Sequence, residues 1–176
     1  WRTSDHHRDD AARAYSIRSV PGCPPDLRKA VGAMLSVQSV GKKYGQFAAL
    51  EGVSFALGHG EVVAVIGANG AGKSTLIKCV VGLVRFQGQV LVGGVDVSRK
   101  GKVARGAIGY LPQQPAFHPD LTVRETMGFF SELRNAPDGQ GHDLVAQVGL
   151  EAKHDARIAE LSGGMRQRLG LAVALL

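Results

Sequence analysis

The chain has 176 residues, of which 44% are hydrophobic and 20% are charged, and its formal net charge is +6. This balance suits a globular domain with a sizeable core and excludes wholesale disorder. No apolar run approaches the ~18 to 20 residues of a membrane-spanning helix, and two isolated cysteines do not make a disulfide framework.

Residues 1–33 differ from the rest of the chain. The first ten residues are polar and charged without periodicity, and Pro21, Pro24 and Pro25 prevent regular structure soon afterwards. No apolar core of a signal peptide is present. We expect 1–33 to be a disordered or non-domain extension, and the folded domain to cover 34–176.

Strand-like patterns begin directly after this extension. Apolar positions predict a strand at 35–40, a second at 50–57, and a short strand followed by a turn within 88–94. The run 62–66 is wholly apolar and mostly β-branched, which is typical of a parallel strand buried on both faces. A further strand is predicted at 108–111.

A glycine-rich loop lies between the apolar run and a stretch of helical spacing. It reads Gly67-Ala68-Asn69-Gly70-Ala71-Gly72-Lys73-Ser74-Thr75 and fits the pattern G-x-x-x-x-G-K-[ST]. Glycines let consecutive amides turn inward around a phosphate, and the following helix adds its positive end. Lys73 would bring a charge to the β- and γ-phosphates, and Ser74 would offer a hydroxyl to Mg²⁺. The loop predicts a nucleoside-triphosphate site; the alternative is a glycine turn that binds nothing.

Helical patterns dominate the last third of the chain. Thr122 and Glu125 form a capping box, which predicts a helix start, and one face of that helix then carries Met127, Phe130 and Leu133. Further helices are expected at 144–148, 153–158 and 165–176.

Three more stretches accompany the phosphate loop in order. Tyr44 precedes it, Gln113 follows the predicted strand at 108–111, and the sequence Leu161-Ser162-Gly163-Gly164-Met165-Arg166-Gln167-Arg168 comes later. Over residues 35–176 this arrangement resembles the nucleotide-binding domain of ABC (ATP-binding cassette) proteins. The resemblance implies an α/β fold: a P-loop NTPase core of mixed β-sheet with an antiparallel β subdomain, and an inserted α-helical subdomain at about 115–165.

The resemblance also implies roles for individual residues. Tyr44 would stack on adenine, and ATP would be held by Gly67, Asn69, Gly70, Ala71, Gly72, Lys73, Ser74 and Thr75. Gln113, or its neighbour Gln114, would position Mg²⁺ or the attacking water, with Ser74 as the second Mg²⁺ ligand. Lys73 and Gln113 would be the catalytic contributors within this chain.

A second group of residues would act on another molecule. In the family the loop that matches Ser162, Gly163 and Gly164 caps the γ-phosphate of ATP bound by a second cassette. The resemblance therefore implies an ATP-dependent dimer. The aromatic residues Phe117, Phe129 and Phe130 are either contacts to a membrane subunit or the small core of the helical subdomain.

The leading hypothesis is the ATP-binding subunit of an ABC transporter, an ATPase coupled to an integral membrane permease at the cytoplasmic face of the membrane. In the family, the magnesium-binding aspartate, the general-base glutamate and a histidine follow the position of Leu176. We therefore expect this chain to be a fragment, incomplete at its C-terminus and without turnover.

The alternatives are a soluble ABC ATPase acting on ribosomes or nucleic acid, and a non-catalytic nucleotide-sensing module. A P-loop kinase or GTPase would explain 67–75 but not 161–168. Because the basic residues are scattered, we expect no nucleic-acid partner.

Overall fold

The computed structural model describes residues 33–176, so all but the last residue of the predicted extension lies outside the described residues. The chain forms two compact units that divide after Ala107. The described part of the first unit is 33–107, and the second unit is 108–176. The boundaries predicted for a helical subdomain, about 115–165, stay a prediction.

A four-stranded antiparallel sheet makes up most of the first unit. Its strands are β1 (Leu35–Tyr44), β2 (Phe47–Leu57), β3 (Gln87–Val92) and β4 (Val95–Asp96), and their order across the sheet is β2-β1-β3-β4. Strands β1 and β2 are joined by a two-residue turn, whereas β1 and β3 pair after a crossover. The strands predicted at 35–40, 50–57 and 88–94 are confirmed, and the antiparallel sheet agrees with the expected α/β class.

Helix α1 (Lys73–Val80) packs against β1 and β2 and closes the core of the first unit. It buries Leu76 and Cys79, which lie three residues apart on one helical face. Burial raises the pKa of the Cys79 thiol, and the nearby positive charge of Lys42 lowers it to a smaller extent. A second, short helix, α2 (Gly101–Gly106), was not predicted.

Two predicted strands are wrong. The run 62–66 has no strand conformation, and Val62 and Ile66 are 95% and 86% exposed. Residues 108–111 also lack strand structure. A strand needs a neighbour for its backbone N–H and C=O groups, and within 33–176 the four named strands pair only with one another. Apolar, β-branched composition is therefore not sufficient to make either segment a strand.

The second unit is helical. It contains α3 (Val123–Arg134), α4 (Gln140–Gln147) and α5 (Gly163–Leu175). The helix predicted at 153–158 is wrong, because two 3₁₀ turns, Glu151–Lys153 and Ile158–Glu160, stand there instead. The buried core of this unit consists of apolar residues from all three helices and the turns: Val123, Met127, Leu144, Val145, Leu150, Ile158, Leu161, Leu169 and Ala172.

Helix α3 starts at the predicted capping box. The Thr122 hydroxyl accepts a hydrogen bond from the Glu125 amide, and the Glu125 carboxylate accepts one from the Thr122 amide at 2.8 Å. The bonds that the Thr122 amide and hydroxyl donate to the Glu125 carboxylate lower the pKa of Glu125. Along the part of the chain that the structure describes, no helix is long and apolar enough to cross a bilayer.

Candidate phosphate-binding site

The glycine loop predicted to bind phosphate leads directly into α1. Gly70 and Gly72 have φ angles of +84° and +86°, which L side chains rarely adopt. The Ala71 amide donates to the Ala68 carbonyl at 3.2 Å, and the Leu76 amide donates to the Gly72 carbonyl at 2.8 Å. The chain therefore makes a tight turn and then enters the helix without an intervening linker.

Packing explains why one of these glycines is required. A Cβ at Gly72 would collide with the Ala49 carbonyl of β2 and would lie 3.1 Å from the Leu50 side chain. A Cβ at Gly70 would meet nothing within 4 Å. Gly72 thus anchors the loop against the sheet, whereas Gly70 lies at the open side of the loop.

Lys73 places a positive charge inside the loop. Its Nζ donates to the carbonyls of Gly67 and Ala68, at 2.7 Å each. Gly72 is the N-cap of α1 and offers no side chain, and no acidic residue occupies the first helical turn. The dipole of α1 and the ammonium group therefore act together on any anion at this end of the helix.

The donors of this loop fit a phosphate and its metal ion. Ser74 and Asn69 are exposed, and Ala71 and Thr75 are half-buried. The Ser74 hydroxyl is the oxygen donor that Mg²⁺ prefers. Among residues 33–176, no three His, Cys, Asp or Glu side chains are grouped to hold a metal.

Tyr44 lies at the end of β1, beside the turn of the first hairpin. Its register partner is Phe47, and these two aromatic residues are 48% and 53% exposed. The Lys42 ammonium lies 4.7 Å from the centroid of the Tyr44 ring, a cation–π contact. Sequence reasoning missed Lys42 and Phe47, although Lys42 could have been found because residues two apart share a strand face.

Gln113 belongs to the second unit, in a segment without regular structure. It is exposed, as is its neighbour Gln114. The Gln113 carbonyl accepts a hydrogen bond from the Gln167 side chain of α5. The backbone of Gln113 is thus restrained by Gln167, a residue to which the sequence alone assigns no role.

Ser162, Gly163 and Gly164 form the exposed start of α5. Ser162 is the N-cap, and its hydroxyl accepts from the Met165 amide at 3.2 Å. No acidic residue lies in the first turn. A Cβ at Gly163 or Gly164 would meet nothing within 4 Å, so packing within the described chain does not require glycine at either position.

The three phenylalanines divide between the core and the surface. Phe117 is packed against the core of the second unit, and its ring lies 6.0 Å from that of Phe130 in an edge-to-face contact. Phe129 lies 5.2 Å from Phe130 in the same manner and is 58% exposed. The core alternative therefore describes Phe117, whereas Phe129 lies at the surface.

Comparison with known proteins supplies a family context. The family profile described as "ABC transporter" matches residues 50–176. A Nod factor export ATP-binding protein I of Paraburkholderia xenovorans (strain LB400) is 36% identical over 148 residues, which cover 81% of this chain and 49% of the relative. The linearmycin resistance ATP-binding protein LnrL of Bacillus subtilis (strain 168) is 34% identical, with 81% and 48% covered.

Other matches extend the comparison. The sulfate/thiosulfate import ATP-binding protein CysA of Nocardia farcinica (strain IFM 10152) is 37% identical, with 81% of this chain and 44% of the relative covered. A solved structure described as the ATP-binding subunit of an ABC transporter superimposes with a TM-score of 0.73 at 28% identity, covering 80% of this chain and 60% of that one. The chain spans about half the length of the curated relatives that it matches.

Proposed function

The chain belongs to the ABC transporter family, and from this premise we propose that it is the ATP-binding part of an ABC transporter. The intact protein binds and hydrolyses ATP and couples that reaction to transport through a membrane permease. The proposal covers both import and export. It works at the cytoplasmic face of the membrane. The named relatives, which serve export, resistance and import, support coupling to transport in general.

The observation that carries this proposal is a pair of helix N-termini without acidic residues in the first turn. Helix α1 presents Gly72, Lys73 and Ser74, and helix α5 presents Ser162, Gly163 and Gly164. Both ends attract anions through the helix dipole. Glycine is a poor helix former, and packing inside the described chain does not require it at Gly163 or Gly164. Close approach of an external phosphate would explain them.

Each residue of the first helix end would have a separate task in nucleotide binding. The loop amides and Lys73 would bind the β- and γ-phosphates, and Ser74 would hold Mg²⁺, which neutralises charge on the transferred phosphoryl group when bound. The exposed Tyr44 ring would stack on the base. Gln113 would orient the attacking water or contact Mg²⁺, since an amide both donates and accepts hydrogen bonds.

The second helix end would act on another cassette. Ser162, Gly163 and Gly164 would cap ATP held by the phosphate loop of a partner, and the reverse contact would complete a head-to-tail dimer. Phe129 and Leu133, which are 58% and 65% exposed on α3, would contact the permease. Their position on the surface of the helical unit supports this assignment.

Binding of nucleotide to the intact protein tests the proposed function. We expect Lys73→Ala to weaken the binding of a fluorescent ATP analogue at least tenfold, because the charge inside the loop is lost. Lys78→Ala is the matched control, since Lys78 is exposed in the last turn of the same helix. Equal affinity of the Lys73 variant and the wild-type protein would overturn the assignment.

A further inference from the structure

The segment that carries Gln113 lies along one face of α5. A Cβ at Gly109 would collide with the Ala174 carbonyl, and a Cβ at Gly170 would lie 2.6 Å from Leu111 and 2.9 Å from Pro115. Residues 170 and 174 share one helical face, four positions apart. The segment and the helix therefore pack closely: Gly109 approaches the helix backbone, and Gly170 makes room for the Leu111 and Pro115 side chains.

A hydrogen bond extends this contact to the start of the helix. The Gln167 side-chain amide donates to the Gln113 carbonyl, and Gln167 lies three residues before Gly170 on the same face. Both glutamines are exposed. The bond holds the backbone of Gln113 and leaves its own side chain free for a ligand.

The N-terminal end of the same helix also carries the loop 162–164. Ser162 caps α5 five residues before Gln167, a rise of about 7.5 Å along the axis. The helix is itself held in place, since Leu169 is fully buried and Arg168 donates to the Val148 and Gly149 carbonyls at 3.1 Å each. It therefore connects Gln113 to Ser162 as a rigid element.

We propose that Gln167 is a positioning residue, which fixes the Gln113 segment to α5 so that Gln113 and the loop 162–164 move as one body. The inference rests on the proposed function. Gln113 would serve the nucleotide of its own chain, whereas Ser162 would serve that of the partner. Because of the Gln167 bond, Gln113 and the loop 162–164 would approach the two nucleotides at the same time. They would also withdraw from them at the same time.

Steady-state ATP hydrolysis by the intact transporter tests this role. Glutamate at this position keeps the size of glutamine but cannot donate, so we expect Gln167→Glu to lower kcat roughly tenfold. The KM for ATP should change less than about twofold, because the loop 67–75 is untouched. Gln167→Lys restores a donor and should stay within about threefold of the wild-type kcat.

Gln147→Glu is the matched control. It makes the same charge change at an exposed residue of α4 and should leave turnover unaltered. If Gln167→Glu lowers the melting temperature by more than a few degrees, Gln167→Met and Gln167→Lys replace it as a pair. They have similar length and differ in the donor.

A double-mutant cycle separates positioning from general structural damage. If Gln167 acts through Gln113, then Gln167→Glu should cause no further loss of kcat in a Gln113→Ala background. Independent, multiplying losses would overturn the positioning role, as would wild-type turnover in Gln167→Glu. Turnover that is insensitive to Lys73→Ala would instead overturn the proposed function, so the two failures are distinguishable.

Discussion

At the scale of single residues, Gly70 and Gly72 have almost the same backbone angle but different surroundings. Both lie in the left-handed region. Only Gly72 is pressed against the backbone of β2, while Gly70 faces open space. The sequence motif predicts both glycines but cannot show which one supports the fold, because that difference depends on the strand that packs behind the loop.

We expect Gly72→Ala to destabilise the intact protein by about 2–4 kcal/mol, because it adds a steric collision to backbone strain. Gly70→Ala adds strain alone and should cost about 1 kcal/mol. Urea unfolding of the two variants measures the difference. Equal losses would show that the contact with Ala49 contributes nothing to stability.

The contact between Lys42 and Tyr44 is one that the sequence motifs did not predict. Tyr44 could be selected from the resemblance, but its cation–π partner depends on which strand face each side chain occupies. Gln167 is a similar case. It lies within the most specific sequence motif, yet its contact with Gln113 joins residues 54 positions apart, a separation at which no local pattern carries information.

At the scale of elements, the start of α3 was predictable, whereas the conformations of 62–66 and 108–111 were not. The capping box of α3 is a local interaction between Thr122 and Glu125, so the sequence contains all of it. The run 62–66 has the composition of a buried strand, but a strand exists only when another strand pairs with it. Its conformation is therefore not a local property of the sequence.

The capping box should make stability depend on pH. Hydrogen bonds from the Thr122 amide and hydroxyl lower the pKa of Glu125 below its ordinary value of 4.5. A lowered pKa in the folded state means that the stabilisation is complete above pH 4.5 and is lost as the pH falls through the folded-state pKa.

Glu125→Gln isolates this effect, since the amide still accepts the capping bond but does not titrate in this range. Urea midpoints of wild type and variant should therefore differ most at neutral pH and converge below pH 4.5. A difference that stays constant from pH 7 to pH 3.5 would contradict the role of the Glu125 charge.

At the start of α5, we expect one substitution to raise stability and to lower ATP hydrolysis. Gly164 lies in a helical turn with open space around it, so Gly164→Ala should stabilise the intact protein by about 0.5–1 kcal/mol. The added methyl group would block close approach of a phosphate, and ATP hydrolysis should fall at least tenfold. A variant that is more stable and fully active would remove the functional reason for the glycine.

At the scale of the whole molecule, the chain presents apolar surface that its described elements do not cover. Val62 and Ile66 are almost fully exposed beside the phosphate loop, and surface of this kind commonly marks contact with further polypeptide. The α/β class and the order of the motifs could be predicted from the sequence. The exposure of 62–66 could not, since it depends on which strands are present to pair.

The central claim is that nucleotide held by the loop 67–75 of one chain is completed by residues 162–164 of another. Lys73→Ala disables the half of the site that the loop 67–75 provides. Ser162→Arg disables the half that residues 162–164 provide. In a 1:1 mixture of the two variants of the intact protein, a head-to-tail dimer of unlike chains contains one complete site and one doubly defective site.

ATP hydrolysis by this mixture is the most direct test. Each variant alone should be nearly inactive, whereas the mixture should recover roughly a quarter of wild-type turnover, since random pairing makes half of the dimers mixed and each mixed dimer has one of two sites intact. A mixture no more active than the separate variants would contradict sites shared between two chains.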